Sequence, residues 1–270
     1  MPADQRPTQA RRPQPTPRPA FRPARPAPRR ASRRSALLPA LIVLAALGAG
    51  VYLLGRSRTI QLFGKLVARV ETPKRLVALT FDDGPNPQMV DEIIAPLAAR
   101  RVRATFFVVG SQLALAPEAG RRLVAAGHEL GNQSYSHEHM ILKSPSFIRS
   151  EVERTDALIR GAGEHGEIYF RPPFSWKLVG LPWYLWRTGR TSVTWDVEAD
   201  SDPKAVATAD GLAAYAVARV RPGSIILLHV WDQARATSRA AIPILIERLQ
   251  KEGYRFVTVS ELLFTQRSSS

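Results

Sequence analysis

From residue 76 onward, short apolar runs alternate with longer stretches in which apolar residues recur every three or four positions. Short runs rich in β-branched and aromatic residues read as buried strands, and the 3.6-residue recurrence reads as the buried face of a helix. The pattern predicts strands at Leu76–Thr80, Ala104–Val109, Glu129–Gln133, Ile168–Arg171, Ser192–Asp196, Ser224–His229 and Phe256–Val259. It predicts helices at Gln88–Arg101, Glu118–Ala126, Ser146–Ala162, Asp210–Val220 and Ser238–Glu252. Such alternation predicts an α/β fold over residues 75–265, built as a parallel sheet or a barrel. The polar clusters fall at the C-terminal ends of the strands, where α/β folds assemble their sites.

A different pattern precedes this domain. Ala36–Leu54 is an uncharged run of 19 residues, about the length that spans a bilayer as a helix. Arg30, Arg33 and Arg34 flank its start more heavily than Arg56 and Arg58 flank its end. The positive-inside rule then puts the N-terminus in the cytoplasm and the domain outside it, periplasmic or extracellular. The division expected is a tail at 1–34, a single-pass membrane helix at 35–55, a linker at 56–74 and the domain at 75–265. A cleaved signal peptide is the alternative, but the run is longer than its apolar region requires.

Composition changes the picture in two places. The net charge of +15 suggests nucleic-acid binding until its distribution is read: residues 1–34 hold ten Arg, no Lys and one acidic residue, Asp4. That tail lacks the apolar content to form a core and reads as disordered, so no nucleic-acid partner is expected of the domain. The chain has no cysteine, which excludes disulfides, cysteine zinc sites and a thiol nucleophile.

Five clusters carry candidate chemistry. Thr80-Phe81-Asp82-Asp83-Gly84-Pro85 closes a strand with adjacent carboxylates, whose repulsion a cation would relieve while one stays free as a base. Gly131 to His139 closes another strand and the loop after it, with His137 as a candidate metal ligand. In Phe170-Arg171-Pro172-Pro173-Phe174, Arg171 has the chemistry to hold a carboxylate ionised and oriented. Trp195 to Asp202 forms a dense acidic patch, and His229 ends the apolar strand Ile225–Leu228 as a candidate general acid. Trp176, Trp183, Tyr184 and Trp186 read as helix core sooner than as sugar-stacking platforms.

Taken in order, these motifs resemble the polysaccharide deacetylases of the NodB-homology type, carbohydrate esterase family 4, from about Leu76 to Leu263. The resemblance implies a distorted (β/α) barrel of about seven strands and a metal-dependent hydrolase that removes N-acetyl groups from an amino-sugar glycan. It implies Asp82 as catalytic base, Arg171 orienting it, and His229 as general acid. Asp83 and His137 would be metal ligands, and the backbone near Phe174 an oxyanion donor. Trp195 and Leu227 would line the acetyl pocket, with Asp202 or Asp200 as the acid that orients His229. The metal implied is a divalent ion, zinc first, with cobalt or nickel as alternatives. The most serious departure from the family pattern is Gln133, which replaces the first histidine of the metal triad, while Phe174 for the family's usual Tyr is a mild one. A carboxamide oxygen is a poorer zinc ligand than imidazole, so weaker metal binding is expected. A non-catalytic glycan-binding domain, or a deacylase of lipid-linked sugars acting at the membrane, are the alternatives. Peptidoglycan, an exported polysaccharide and a lipid-linked sugar are all open as substrates.

Overall fold

The computed structural model describes residues 33–267; only the backbone is described for 33–38, Ala40, Ala205 and Arg267. All but the last two residues of the 1–34 tail therefore lie outside the described residues. The chain divides into two units, 1–45 and 46–270.

Helix α1 (Arg33–Arg56) covers the predicted 35–55 segment, with Pro39 in its second turn, where it removes one i→i−4 backbone bond. Among the described residues, no helix is long and apolar enough to cross a membrane. The side chains that open the apolar run lie outside that set.

The second unit is an α/β fold of parallel strands. In chain order its elements are β1 (Leu66–Val67), β2 (Leu76–Gly84), α2 (Val90–Ala99), β3 (Thr105–Val108), α3 (Gly110–Leu115), α4 (Pro117–Ala125) and β4 (Glu129–Asn132). They continue with α5 (Pro145–Gly161), α6 (Gly180–Arg187), β5 (Ser192–Val193), β6 (Val197–Glu198), α7 (Ala209–Val217), β7 (Ile225–His229), α8 (Ala236–Lys251), β8 (Arg255–Val257) and α9 (Val259–Arg267). The main sheet runs β4-β3-β2-β7-β6 with β8 also on β2, and β1 pairs β5 in a two-stranded sheet. Single bridges from Phe170 to Asn132 and to Ser192 join the two, and the chain passes from β5 to β6 within four residues.

Strand parity explains how the polar ends reach one place. Val77, Leu79 and Phe81 of β2 pack with Ile226 and Leu228 of β7 in the layer beneath the helices. Leu76 and Ala78 pack with Ile225 and Leu227 in the inner layer. Successive side chains alternate between faces, so Thr80 and Asp82 share the inner parity, as does His229.

Three predicted strands differ from the structure. Ile168–Arg171 makes only the bridges at Phe170, because Pro172 and Pro173 offer no N–H to extend a ladder. Ser192–Asp196 stops at Val193; the Asp196 carboxylate accepts from Ser224 Oγ at 2.8 Å and Ile225 N at 2.9 Å. Phe256–Val259 yields to α9 at Val259, where Thr258 and Glu261 cap the helix reciprocally at 3.0 and 3.4 Å.

Candidate active site

The cleft forms where β2 and β7 end side by side, with Asp82 directly opposite His229 in the pairing register. At Asp83 the β2 register shifts by one residue and φ turns to 71°. This bulge separates the fates of the two adjacent carboxylates: Asp82 is buried and Asp83 is exposed. Ser134, His137, Phe174 and Ser175 also have positive φ, so among the described residues five of the seven non-glycine residues in that region lie at or beside the cleft. Backbone strain held in place by its surroundings collects at functional sites.

Arg171 is fully buried and spans the interior beneath the cleft. Its Nη1 donates to Asp82 Oδ1 at 2.5 Å and to Thr80 Oγ1 at 2.9 Å. Its Nε and Nη2 donate to the carbonyls of Val193 at 3.2 Å and Thr194 at 3.0 Å. Its guanidinium lies 3.8 Å from the Phe107 ring centre. Burial pushes the Asp82 carboxyl up to about 6, with the Arg171 cation opposing that rise. A group poised there accepts a proton near neutral pH.

Opposite it, His229 Nδ1 lies 3.2 Å from Asp200 Oδ2, which also accepts the His229 backbone N–H at 2.5 Å. Burial lowers the affinity of His229 for a proton, but the bond to Asp200 and the neighbouring carboxylates outweigh it and raise the imidazole to about 9. Of the two candidate acids, Asp200 meets His229, while Asp202 accepts from the Lys204 backbone at 2.9 Å. Trp195 and Leu227 line the cleft, and Phe174 stands at its edge, 51% exposed.

Gln133 directly follows β4 inside this constellation. Its Oε1 accepts from Asp83 N at 2.8 Å, while its Nε2 donates to Asp83 Oδ1 at 3.0 Å and Asp82 Oδ2 at 3.1 Å. The backbone N–H fixes the orientation, since the flipped amide would oppose donor to donor. His137 Nε2 lies 3.1 Å from Asp83 Oδ1 without the alignment of a hydrogen bond. Burial acts to raise Asp83, but His137 and His229 outweigh it and hold the carboxyl below its usual value. The loop carrying His137 is held by Glu151, which accepts from the backbones of Tyr135 at 2.9 Å and Ser136 at 2.7 Å.

The family model for polysaccharide deacetylases matches residues 69–180. A chitooligosaccharide deacetylase from Bradyrhizobium sp. (strain ANU 289) is 33% identical over 202 residues, 70% of this chain and 90% of that protein. The chain belongs to the polysaccharide deacetylase family. Among solved members, a family 4 acetyl xylan esterase from Clostridium thermocellum, in complex with a cobalt ion, is 35% identical. It superposes with a TM-score of 0.63 over 70% of this chain and 91% of its own. A mutant of a family 4 pseudoenzyme from Bacillus anthracis, with restored enzymatic activity, is 25% identical. Its TM-score is 0.65 over 73% of this chain and 70% of its own.

The donors of this family member do not fit a three-ligand divalent-ion site. Asp83 and His137 offer an oxygen and a nitrogen, but the Gln133 oxygen expected as third ligand faces the Asp83 backbone, and two N–H bonds point at the carboxylates instead. Among the described residues, no group of three His, Cys, Asp or Glu side chains is arranged to hold a metal ion.

Sequence reasoning did not assign the wall of this 730 Å³ cleft formed by Tyr52, Leu53, Arg56, Ser57 and Arg58, nor Arg235 beside Asp200. Arg56 and Arg58 entered the sequence reading only as flanking charge. No local pattern marks residues 52–58 as cleft-forming; only tertiary packing brings them there.

Proposed function

We propose that this chain hydrolyses acetyl groups from the amino sugars of a glycan. The observation that carries this reading is the pairing of two acid–base units, the buried Asp82–Arg171 and the half-buried His229 on buried Asp200, across one cleft where β2 and β7 end side by side. Asp82 takes the proton of the attacking water, and Arg171 orients the carboxylate and keeps it available. His229 is protonated at neutral pH. With Asp200 on Nδ1, its Nε2–H faces the cleft and can be given to the departing amine. Water adds across the amide bond and yields acetate and a free amino sugar. The acetyl methyl rests against Trp195 and Leu227, and the backbone N–H of Phe174 is the donor for its oxygen.

The relative with cobalt supports a divalent-ion requirement in the family, and zinc, cobalt or nickel would find only Asp83 and His137 as donors here. The Gln133 amide favours a second reading, in which the chain binds acetylated glycan without turnover. The uncharged run 36–54 supports a membrane anchor with the domain outside the cytoplasm.

The test measures retained metal and acetate release from N-acetylated glycan oligomers, for the full chain and for Gln133→His. Acetate release by the unmodified chain supports the hydrolase. Glycan binding without release, with release gained in Gln133→His alongside at least about tenfold tighter zinc binding, supports the second reading. Neither binding nor release in either protein refutes both.

A further inference from the structure

The last turn of α1 and the residues after it form one wall of the catalytic cleft, and the domain holds them there. Lys177 N donates to Gly55 O at 2.8 Å, and the buried Lys177 ammonium donates to Ser57 O. Thr194 Oγ1 donates to Arg58 O at 2.6 Å, and Arg58 pairs with Glu198 at 3.4 Å. A side chain on Gly55 would meet the Trp176 ring at 3.2 Å, so the contact is close.

A row of rings leads from the catalytic residues to this wall. Phe174 lies 4.7 Å from His137 and 4.4 Å from His139, measured between ring centres. His139 lies 5.9 Å from Trp176, and Trp176 lies 5.3 Å from Tyr52. Arg56 stands at the far end, 5.6 Å over Tyr52 and 5.8 Å over Trp176, with Nη1 donating to Tyr52 Oη at 2.6 Å. Phe174, His139, Tyr52 and Arg56 are exposed. An arginine in a last turn stabilises a helix through the dipole alone, which accounts for its charge but not for its place in the cleft. Among the described residues, Arg56 has no carboxylate partner, unlike Arg58. Its rings fix the guanidinium in orientation and leave donors for a ligand.

The geometry points to a subsite at the exit of α1, in which Arg56 takes an anionic group carried by the glycan whose acetylated sugar lies at Asp82 and His229. The intervening sugar lies along Phe174, Trp176 and Tyr52. This inference rests on the reading that the cleft takes an acetylated amino-sugar glycan. The anion is a phosphate or a carboxylate: the first would come from a sugar linked through phosphate to a lipid, the second from a glycan bearing lactyl or peptide carboxylates.

The test is binding, read by calorimetry and by tryptophan fluorescence, with the full chain in detergent micelles. The probes are a neutral N-acetylated chitooligosaccharide, a same-length oligomer with a lactyl carboxylate, and N-acetylglucosamine joined through pyrophosphate to a short isoprenyl chain. One anionic probe should bind about tenfold or more tighter than the neutral oligomer, as one charge-assisted bond supplies. Which anionic probe does so identifies the source. Arg56→Gln should remove that advantage while lowering binding of the neutral oligomer far less. Equal binding of all probes by the unmodified chain, or an Arg56→Gln loss shared equally by the neutral oligomer, overturns the subsite. Binding of no probe overturns the glycan reading of the cleft and the subsite with it.

Discussion

Replacing Arg171 with Met tests the link between the proposed base and the fold. The Asp82–Arg171 pair is 0% exposed on the Arg side and 3% on the Asp side. Met preserves much of the stem volume but removes the cation, leaving a buried carboxylate unpaired. Breaking a buried pair in this way costs about 3–5 kcal/mol, and the carbonyls of Val193 and Thr194 also lose their donors. That is a large share of the roughly 5–15 kcal/mol that holds a domain folded. The sign of the pH dependence follows from Asp82, whose carboxyl rises from 3.8 to about 6 on folding. The folded chain then binds this proton more tightly than the unfolded chain. The contribution is most favourable below pH 3.8 and declines as pH rises through about 6. Removing the cation raises the carboxyl further, so the cost of Arg171→Met should be greatest at pH 7 and should shrink toward pH 4. Urea denaturation followed by far-ultraviolet circular dichroism at pH 7, 5 and 4 measures this. Adding Asp82→Asn to Arg171→Met should recover most of the loss at pH 7. A loss under about 1 kcal/mol at pH 7, or no recovery in the double variant, would refute the reasoning.

Two further outcomes concern groups away from the chemistry. Burial raises Glu129, at the opposite end of the strands, to about 7 against the bond from Thr105 Oγ1 at 2.6 Å. Its contribution to stability declines between pH 4.5 and about 7, so Glu129→Gln should gain about 1–3 kcal/mol on the unmodified chain between pH 5 and 8; parallel melting curves across that range would exclude this. Burial lowers Lys177 to about 8, a deficit present below that pH and lifted as pH rises toward 10.5. Thermal melts at pH 7, 9 and 10 should show the unmodified chain gaining about 1–3 kcal/mol on Lys177→Met, and an unchanged gap would count against a buried ammonium there.

Legibility in the sequence followed the physics of each element. The strands that β2, β3 and β7 became carry apolar runs because both faces are buried, and their helices carry clear 3.6-residue patterns. Segments whose geometry is set by side-chain bonds were misread: Asp196 replaces a ladder after Val193, and Thr258 with Glu261 starts a helix inside a predicted strand. The five clusters did converge on one cleft, because strand parity sends Asp82 and His229 to the same face. Motif spacing left Asp200 and Asp202 equivalent; only the fold brings Asp200 to the imidazole. Gln133 was visible as a departure, but the direction of its amide depends on a backbone N–H that only the bulge at Asp83 presents. Residues 52–58 carried signals of topology, and nothing in their order announced a wall of the cleft.

The guanidinium of Arg171 lies where the sheet lacks a strand. Between β4 and β5 the ladder is reduced to the bridges of one residue, Phe170, and the neighbouring arginine ties the carbonyls of Val193 and Thr194 to the end of β2. The seam between the two sheets and the orientation of the base thus depend on one cation. A ligand that alters the charge on Asp82 changes the tension across that seam, so occupancy of the cleft should be felt as slower amide exchange along β5, which contributes no cleft-lining residue of its own.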